Sequence, residues 1–326
     1  MIGGRLFGVT IGGRYTDTDP IDNPIMLLEY VKRNQDWSDN DGTALIRTGV
    51  ADGSFDDESL SEIEALSIAR QITNENQQWT ESLSKSICET FYLISRQDNE
   101  GYECVEYLLN NSTPSDTIEM GDTVPGSIGR IIEPNAEDIF VEPFVNYGYD
   151  YAFSRFTNSL RIIGVADNSS WNSDLTPGFS SNDGESLWNK CRQNYVKYGR
   201  NEKIPDNLTN QYWIPDYDTA LWKITKIIEY QSLKKFSFSI FYDTGRKWYP
   251  GKQIYVKFTN ETNSQDILST ITGIRKDRNR NRVDLDLLLL TEIQPSFYFT
   301  RYQATDGAST KWQATDGAST KYQEAG

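Results

Sequence analysis

From Phe236 onward the apolar residues alternate with period two, and this pattern restricts the fold more than any other. Phe236, Phe238, Ile240 and Tyr242 share one face of a strand. Trp248-Tyr249-Pro250-Gly251 reads as a turn, after which Ile254, Val256 and Phe258 face one way again. The runs 267–274 (ILSTITGI) and 283–290 (VDLDLLLL) flank RKDRNRNR at 275–282, the tip of a hairpin. Strict alternation suits half-buried strands and not helices. Residues 234–300 are therefore expected to form an antiparallel sheet, folded into a small barrel or a sandwich.

The preceding residues read differently. Residues 1–22 are glycine-rich and aperiodic, an N-terminal arm. Asn23-Pro24 opens a helix, with Asn as N-cap and Pro at the first helical position. Ile25, Leu28 and Val31 give its apolar face, to about Asn34. Leu60, Ile63 and Leu66 predict a helix over about 57–70, and Trp79, Leu83 and Ile87 predict another. A hairpin follows: 91–96 and 102–109 flank QDNEG, with Gly101 free to take a positive φ. Residues 23–120 thus read as an α+β domain, with a polar Gly/Pro/Ser-rich linker or elaborated loop over 110–135. Residues 121–233 read as a mixed domain. Its extended segments lie at 137–165. One helix carries Leu187, Cys191 and Tyr195 and ends at Gly199; another carries Leu221, Ile224 and Ile228 and is capped by Asp218. The fold class is α+β.

Composition narrows function. The chain of 326 residues has a net charge of −15, which disfavours tight nucleic-acid binding, since phosphate contacts need Lys and Arg. An acidic wall would still let DNA slide past. There is no histidine, so the commonest general base and transition-metal ligand are missing. We expect no catalysis, no metal and no cofactor. Aromatic residues make up 13%, with 19 Tyr and 8 Trp, which points to a folded chain with a large contact area. Cys88, Cys104 and Cys191 are odd in number and lack CxxC spacing, as reduced thiols would be. No apolar window is long enough to span a membrane, and no signal-like core opens the sequence. Synthesis and retention in a cytoplasm are the expectation.

Several local patterns have plain explanations. Asp36, Asp39 and Asp41 before Gly42 resemble a calcium loop, but the twelfth position is Val50 and not Glu. Asp284 and Asp286 alternate with Val283, Leu285 and Leu287, as the wet face of a half-buried strand does. Arg275, Lys276, Arg278, Arg280 and Arg282 put five cations in eight residues. In so acidic a chain they read as a solvated hairpin tip or as a contact with an acidic neighbouring subunit. Arg278 and Arg280 are accordingly interface candidates.

The end of the chain, RYQATDGASTKWQATDGASTKYQEAG, holds a ten-residue unit twice. Tyr302, Trp312 and Tyr322 recur at spacing ten, and Asp306-Gly307 and Asp316-Gly317 are turn dipeptides. Two copies are too few for a solenoid. Residues 301–326 read instead as a terminal β-meander arm offered to a neighbour, with those three aromatics as further interface candidates.

Four stretches taken in order resemble the hub proteins of bacteriophage tail baseplates and tail tips. They are NPIMLLEYVKRN with the later DGSF, LSKSICETFYLISRQDNEGYECVEYLL, FVEPFVNYGYDYAFSRF, and YWIPDYDTALWKITKIIEYQSLKKFSFSIFYDTGRKWYPGKQIYVKF. Together they lie within residues 23–260. The resemblance implies a non-enzymatic virion protein, assembled in the host cytoplasm. It implies a trimer around the tail axis that joins the tail tube to distal tail, spike or fibre proteins. DNA would touch such a subunit only in transit, and no membrane is involved in the mature particle. The alternative is a receptor- or carbohydrate-binding tail protein that uses aromatic loops.

Overall fold

A computed structural model describes residues 23–33, 58–68, 79–97, 103–110, 113–119, 122–136 apart from 126, 128 and 130, 139–150, 152–199, 209–259, 264–292, 301–303, 311–316 and 319–324. The expected N-terminal arm, the Asp36–Gly42 loop and Phe297–Phe299 lie outside them. The chain divides into two compact units: Met1–Asn110 with Ile132–Lys234, and Asn111–Ile131 with Lys235–Gly326.

In the first unit, α1 (Pro24–Arg33) begins as its sequence predicts. The Met26 N–H donates to Asn23 Oδ1 at 2.9 Å, which satisfies one of the free amides of the first turn. Ile25 and Leu28 are wholly buried. The helix expected over 57–70 is much shorter: a 3₁₀ turn at Glu58–Leu60 and then α2 (Ser61–Glu64). Tertiary structure overrides the pattern here. The Ser67 N–H donates to Thr219 Oγ1 at 3.0 Å and not to a carbonyl four residues back. Helix α3 (Trp79–Phe91) packs on α1 and leads through Tyr92 into the hairpin of β1 (Leu93–Gln97) and β2 (Glu103–Tyr107). Tyr92 makes the reversal at φ 54°, unusual for a bulky residue.

The second part of this unit is built from β4 (Phe144–Asp150), β5 (Arg155–Arg161), α4 (Ser181–Tyr198) and α5 (Tyr217–Gln231). The two strands form an antiparallel hairpin whose inward residues Val145 and Leu160 face each other. They pack with Ile162, Leu187, Trp188, Cys191, Ile224 and Ile228 in one core. Gly199 ends α4 at φ 82°, as the sequence predicts. The cap of α5 is Asp216 and not Asp218: Asp216 Oδ1 accepts from the Thr219 N–H at 2.9 Å, and the helix starts two residues earlier than an Asp218 cap would set it.

One cation is sealed inside this unit. Lys223 of α5 is 1% exposed. Its ammonium donates to the carbonyls of Thr90 at 2.5 Å and Glu89 at 3.5 Å, in the last turn of α3. It also lies 4.1 Å from the centre of the Tyr92 ring. The helix C-terminus and the ring face both favour positive charge. Burial opposes them and draws the Lys223 pKa down to about 7. Around it Tyr92 stacks on Tyr230 at 5.1 Å, and Phe91 and Tyr92 lie 5.9 and 6.2 Å from Trp222. Lysine and rings together fasten α3 to α5.

The second unit is a five-stranded sheet in the order β3 (Thr117–Glu119), β7 (Gln253–Thr259), β8 (Ser264–Asp277), β9 (Arg282–Leu289), β6 (Lys234–Phe241). Its pairings β7–β8 and β8–β9 are antiparallel, as expected, but β3 runs parallel to β7. Thus residues read as a linker supply an edge strand. The same stretch also reaches the opposite edge. The Val124 N–H donates to Ser239 O and the Gly129 N–H to Ser237 O, each at 2.8 Å, and Thr123 pairs antiparallel with Ile240. Gly129 is needed there, because a Cβ would come 2.1 Å from Ser237 O. No two of the named strands close this sheet into a ring. The inward face is the alternating set seen in the sequence: Phe236, Phe238, Val256, Phe258, Leu285 and Leu287 form one buried cluster. The turn before β7 has Pro250 and then Gly251 at φ 93°, with the Lys252 N–H donating to Tyr249 O, a type II geometry.

Lys223 gives a test with a fixed sign. Between about pH 7 and 8.5 the folded lysine is losing its proton while the unfolded one, near 10.4, keeps it. The unfolded chain therefore binds more protons, and stability rises with pH by roughly 1.5 kcal/mol across that window. Chemical denaturation at several pH values should show this rise in the wild type and its loss in Lys223→Met, whose stability should instead drift slightly down toward pH 8.5 because burial keeps the Cys191 thiol protonated in the folded chain only. A flat wild-type profile contradicts the assignment.

Candidate interaction surface

The basic run sits where the sequence places it, but less of it is loop than expected. The β8–β9 ladder continues through Arg275↔Asp284, Lys276↔Val283 and Asp277↔Arg282, so only 278–281 form the turn. Asn281 closes it at φ 49°, a conformation asparagine tolerates. Asp277 Oδ1 accepts from the Arg280 N–H at 3.1 Å, and its other oxygen lies 3.5 Å from Arg280 Nε. The Lys276 ammonium donates to Arg246 O at 2.6 Å, which brings exposed Arg246 beside the tip. Arg275, Lys276, Arg278 and Arg280 are all exposed, and among the described residues Arg278 has no ion-pair partner.

The carboxylates beside this tip hold strands together. Asp284 accepts from Ser239 Oγ at 2.6 Å and from Arg282 Nε. Burial pushes its pKa up, but these two bonds and the Arg282 and Arg275 charges outweigh it and hold Asp284 below its ordinary value. Asp286 accepts from Ser237 Oγ at 2.6 Å. Both carboxylates thus pin β9 to β6. Among the described residues no group of three His, Cys, Asp or Glu converges as a metal ion would require.

The terminal repeat forms a separate three-stranded antiparallel sheet of β10 (Arg301–Gln303), β11 (Lys311–Asp316) and β12 (Ser319–Glu324). Tyr302 is opposite Trp312, but Trp312 is opposite Gln323, and Tyr322 is opposite Gln313. The three aromatics therefore do not share one line across the sheet. Tyr302, Trp312 and Tyr322 lie in this sheet and Arg278 and Arg280 in the five-stranded one, so the candidates belong to two separate sheets.

A further surface, in the first unit, was not singled out from the sequence. At the turn end of the β4–β5 hairpin, Tyr149, Phe156 and Tyr212 contact one another with ring centres 4.8 to 5.0 Å apart. Tyr212 is 42% exposed, and Phe153 in the hairpin turn is 70% exposed, with the Arg155 guanidinium 5.4 Å from its ring centre. Asp150 Oδ1 accepts from the Ala152 N–H and shapes that turn. The alternating tyrosines of NYGYDY hint at the surface, but Tyr212 is 56 residues from Phe156 and only the fold joins them.

No protein-family model matches the chain, and no curated protein matches its sequence. Two solved structures to which it is similar are both tail proteins. One is the tail protein from Neisseria meningitidis MC58, with 15% identity over 68% of this chain and 56% of that one, at a TM-score of 0.35. The other is the 43 kDa tail protein of prophage MuSo2 from Shewanella oneidensis, with 11% identity over 67% of this chain and 56% of that one, at a TM-score of 0.32. The chain thus spans little more than half the length of either. These are distant likenesses, and function has to be argued from the chain's own residues.

If the aromatic hairpin is a contact surface, Phe153→Ser should leave the melting temperature nearly unchanged, since exposed substitutions stay within about 0.5 kcal/mol. The same variant should weaken association with its partner when both are followed by analytical ultracentrifugation. Normal association removes Phe153 from the contact.

Proposed function

We propose that the chain is a structural, non-enzymatic subunit of a bacteriophage tail, a hub or adaptor of the baseplate or tail tip. In this reading it assembles as a homotrimer around the tail axis and joins the tail tube to distal tail, spike or fibre proteins. One observation carries it. The stretches that bear the resemblance fold, in order, into α1, then α3 with the β1–β2 hairpin, then β4–β5, then α5 with β6, the Pro250-Gly251 turn and β7. Each is the type of element that the resemblance implies.

Other features support the reading. The segment 116–129 touches both edges of the five-stranded sheet, which favours a small barrel, because closure removes the open edges that invite unwanted pairing. Exposed Phe153 and Tyr212, beside half-buried Tyr149 and Phe156, suit protein contact better than sugar stacking, because Tyr149, Phe156 and Tyr212 pack against one another and leave no free flat ring face between them. The net charge of −15 suits a wall past which DNA travels without binding. Residence in the virion after assembly in the host cytoplasm follows from the same reading.

The test is a mass-spectrometric inventory of purified particles, paired with negative-stain images of the isolated protein. Threefold rings and a few copies per tail are expected. Monomers that bind cells or glycans would instead favour a receptor- or carbohydrate-binding tail protein. Removal of residues 302–326 should leave a folded chain by circular dichroism but slow its incorporation into tails. Normal incorporation would take the terminal sheet out of the assembly role.

A further inference from the structure

The net charge is not spread evenly. The first unit holds 18 Lys and Arg against 34 Asp and Glu, whereas the second holds 14 against 13. Practically all of the −15 therefore belongs to the first unit. Within the second unit most described lysines of the sheet are matched locally: Lys247 and Lys252 with Asp116 at 2.9 and 2.7 Å, and Lys257 with Glu119 at 3.3 Å. The β8–β9 tip differs. Arg246, Arg275, Lys276, Arg278 and Arg280 are exposed together, and the two carboxylates on the tip's own strand ends, Asp277 and Asp284, are already engaged by Arg280, Arg282 and Ser239.

We infer that this tip is a self-association site: it docks on the carboxylate-rich surface of a second copy of the chain, in a head-to-tail manner. The inference names the contact for the oligomer proposed above and rests on that reading for the existence of a second copy. Three arguments favour this occupant. Two chains of −15 repel each other at long range, so self-association needs a local cation excess, and the tip supplies one. A basic tip on one chain and an acid excess elsewhere on the same chain are complementary between copies without being self-complementary. That arrangement gives a heterologous interface, which closes into a ring when the rotation allows. The tip is also held in shape before contact, by the ladder, by the Asp277 bond to the Arg280 amide and by the Tyr242 N–H donating to Asn281 O at 3.2 Å. Little ordering is then lost on docking. Phosphate is the weaker choice, since a polyanion approaching the tip also meets the field of the whole acidic chain.

The experiment compares the full chain with Arg275→Glu/Arg278→Glu/Arg280→Glu and with Arg278→Gln/Arg280→Gln, using light-scattering mass after size exclusion. Circular dichroism checks that each remains folded. The wild type should be oligomeric at low salt and shift toward monomer near ~1 M salt, where the screening length falls to about 3 Å. The reversal variant should be monomeric even at low salt, with self-affinity reduced at least ~10-fold, and the neutral variant should fall between, as expected for charge pairs at an interface. An oligomeric reversal variant overturns the inference and leaves the hub reading standing. A wild type that is monomeric under every condition overturns both. A wild type that binds short duplex DNA through the tip, with its mass unaffected by the reversal, assigns the tip to nucleic acid and also overturns the inference.

Discussion

The five-stranded sheet depends on hydrogen bonds to a segment more than a hundred residues away in sequence. Buried backbone amides and carbonyls must find partners. Here the Tyr255 N–H donates to Asp116 O on one edge, and the Ser239 and Ser237 carbonyls accept from Val124 and Gly129 on the other. Without residues 116–129 both edges of the sheet would be open. The chain organisation follows from this. Residues 111–131 belong with the sheet, so the first unit is necessarily interrupted, and its second part, 132–234, is inserted before the chain returns as β6. The arrangement is affordable because closure entropy grows only with the logarithm of loop length, about 0.6 kcal/mol per doubling. It is cheaper still because the intervening residues fold into a core of their own.

This also explains what could be read from the sequence. The alternation in β6 to β9 was legible because one face is buried and one is wet, and Val283, Leu285, Leu287 and Leu289 are each 2% exposed or less. Helix α1 was legible because Asn23 and Pro24 are local signals. The role of 110–135 was not legible. Three residues, Thr117–Glu119, with a single buried Ile118, are too short to show a period, and what makes them a strand is their partner Val256. The truncation of α2 was hidden for the same reason, because the competing acceptor, Thr219, lies 152 residues on. Of the contact surfaces, the basic tip was evident as a charge run. The aromatic trio was not, since Tyr212 joins Tyr149 and Phe156 only after β4 accepts the Gln211 N–H at Asn146 O.

Positive charge is used in two opposite ways. Lys223 is withdrawn from water, which costs desolvation, and is held by two carbonyls and a ring within one unit. Its worth is positional: it fixes α5 against the end of α3, where an apolar side chain would leave the Thr90 carbonyl without this donor. The arginines of the β8–β9 tip remain hydrated and lose nothing until a partner arrives. The first kind of cation sets the shape of a subunit and the second is available to set its neighbours, and the engagement of Asp277 and Asp284 within the tip keeps the two uses separate.

The terminal repeat shows how identical sequence takes up unequal register. A strict ten-residue period would place position 322 opposite 312 as 312 stands opposite 302. The observed register puts Gln323 there, one residue out of step. In a sheet a slip of one residue moves a position to the other face. Position 322 therefore does not extend the line formed by 302 and 312, although QATDGASTK precedes both 312 and 322. The cause lies in the unequal connections: seven residues separate β10 from β11, but only two separate β11 from β12. A repeat that keeps the sequence but changes the connection thus yields two different strand registers.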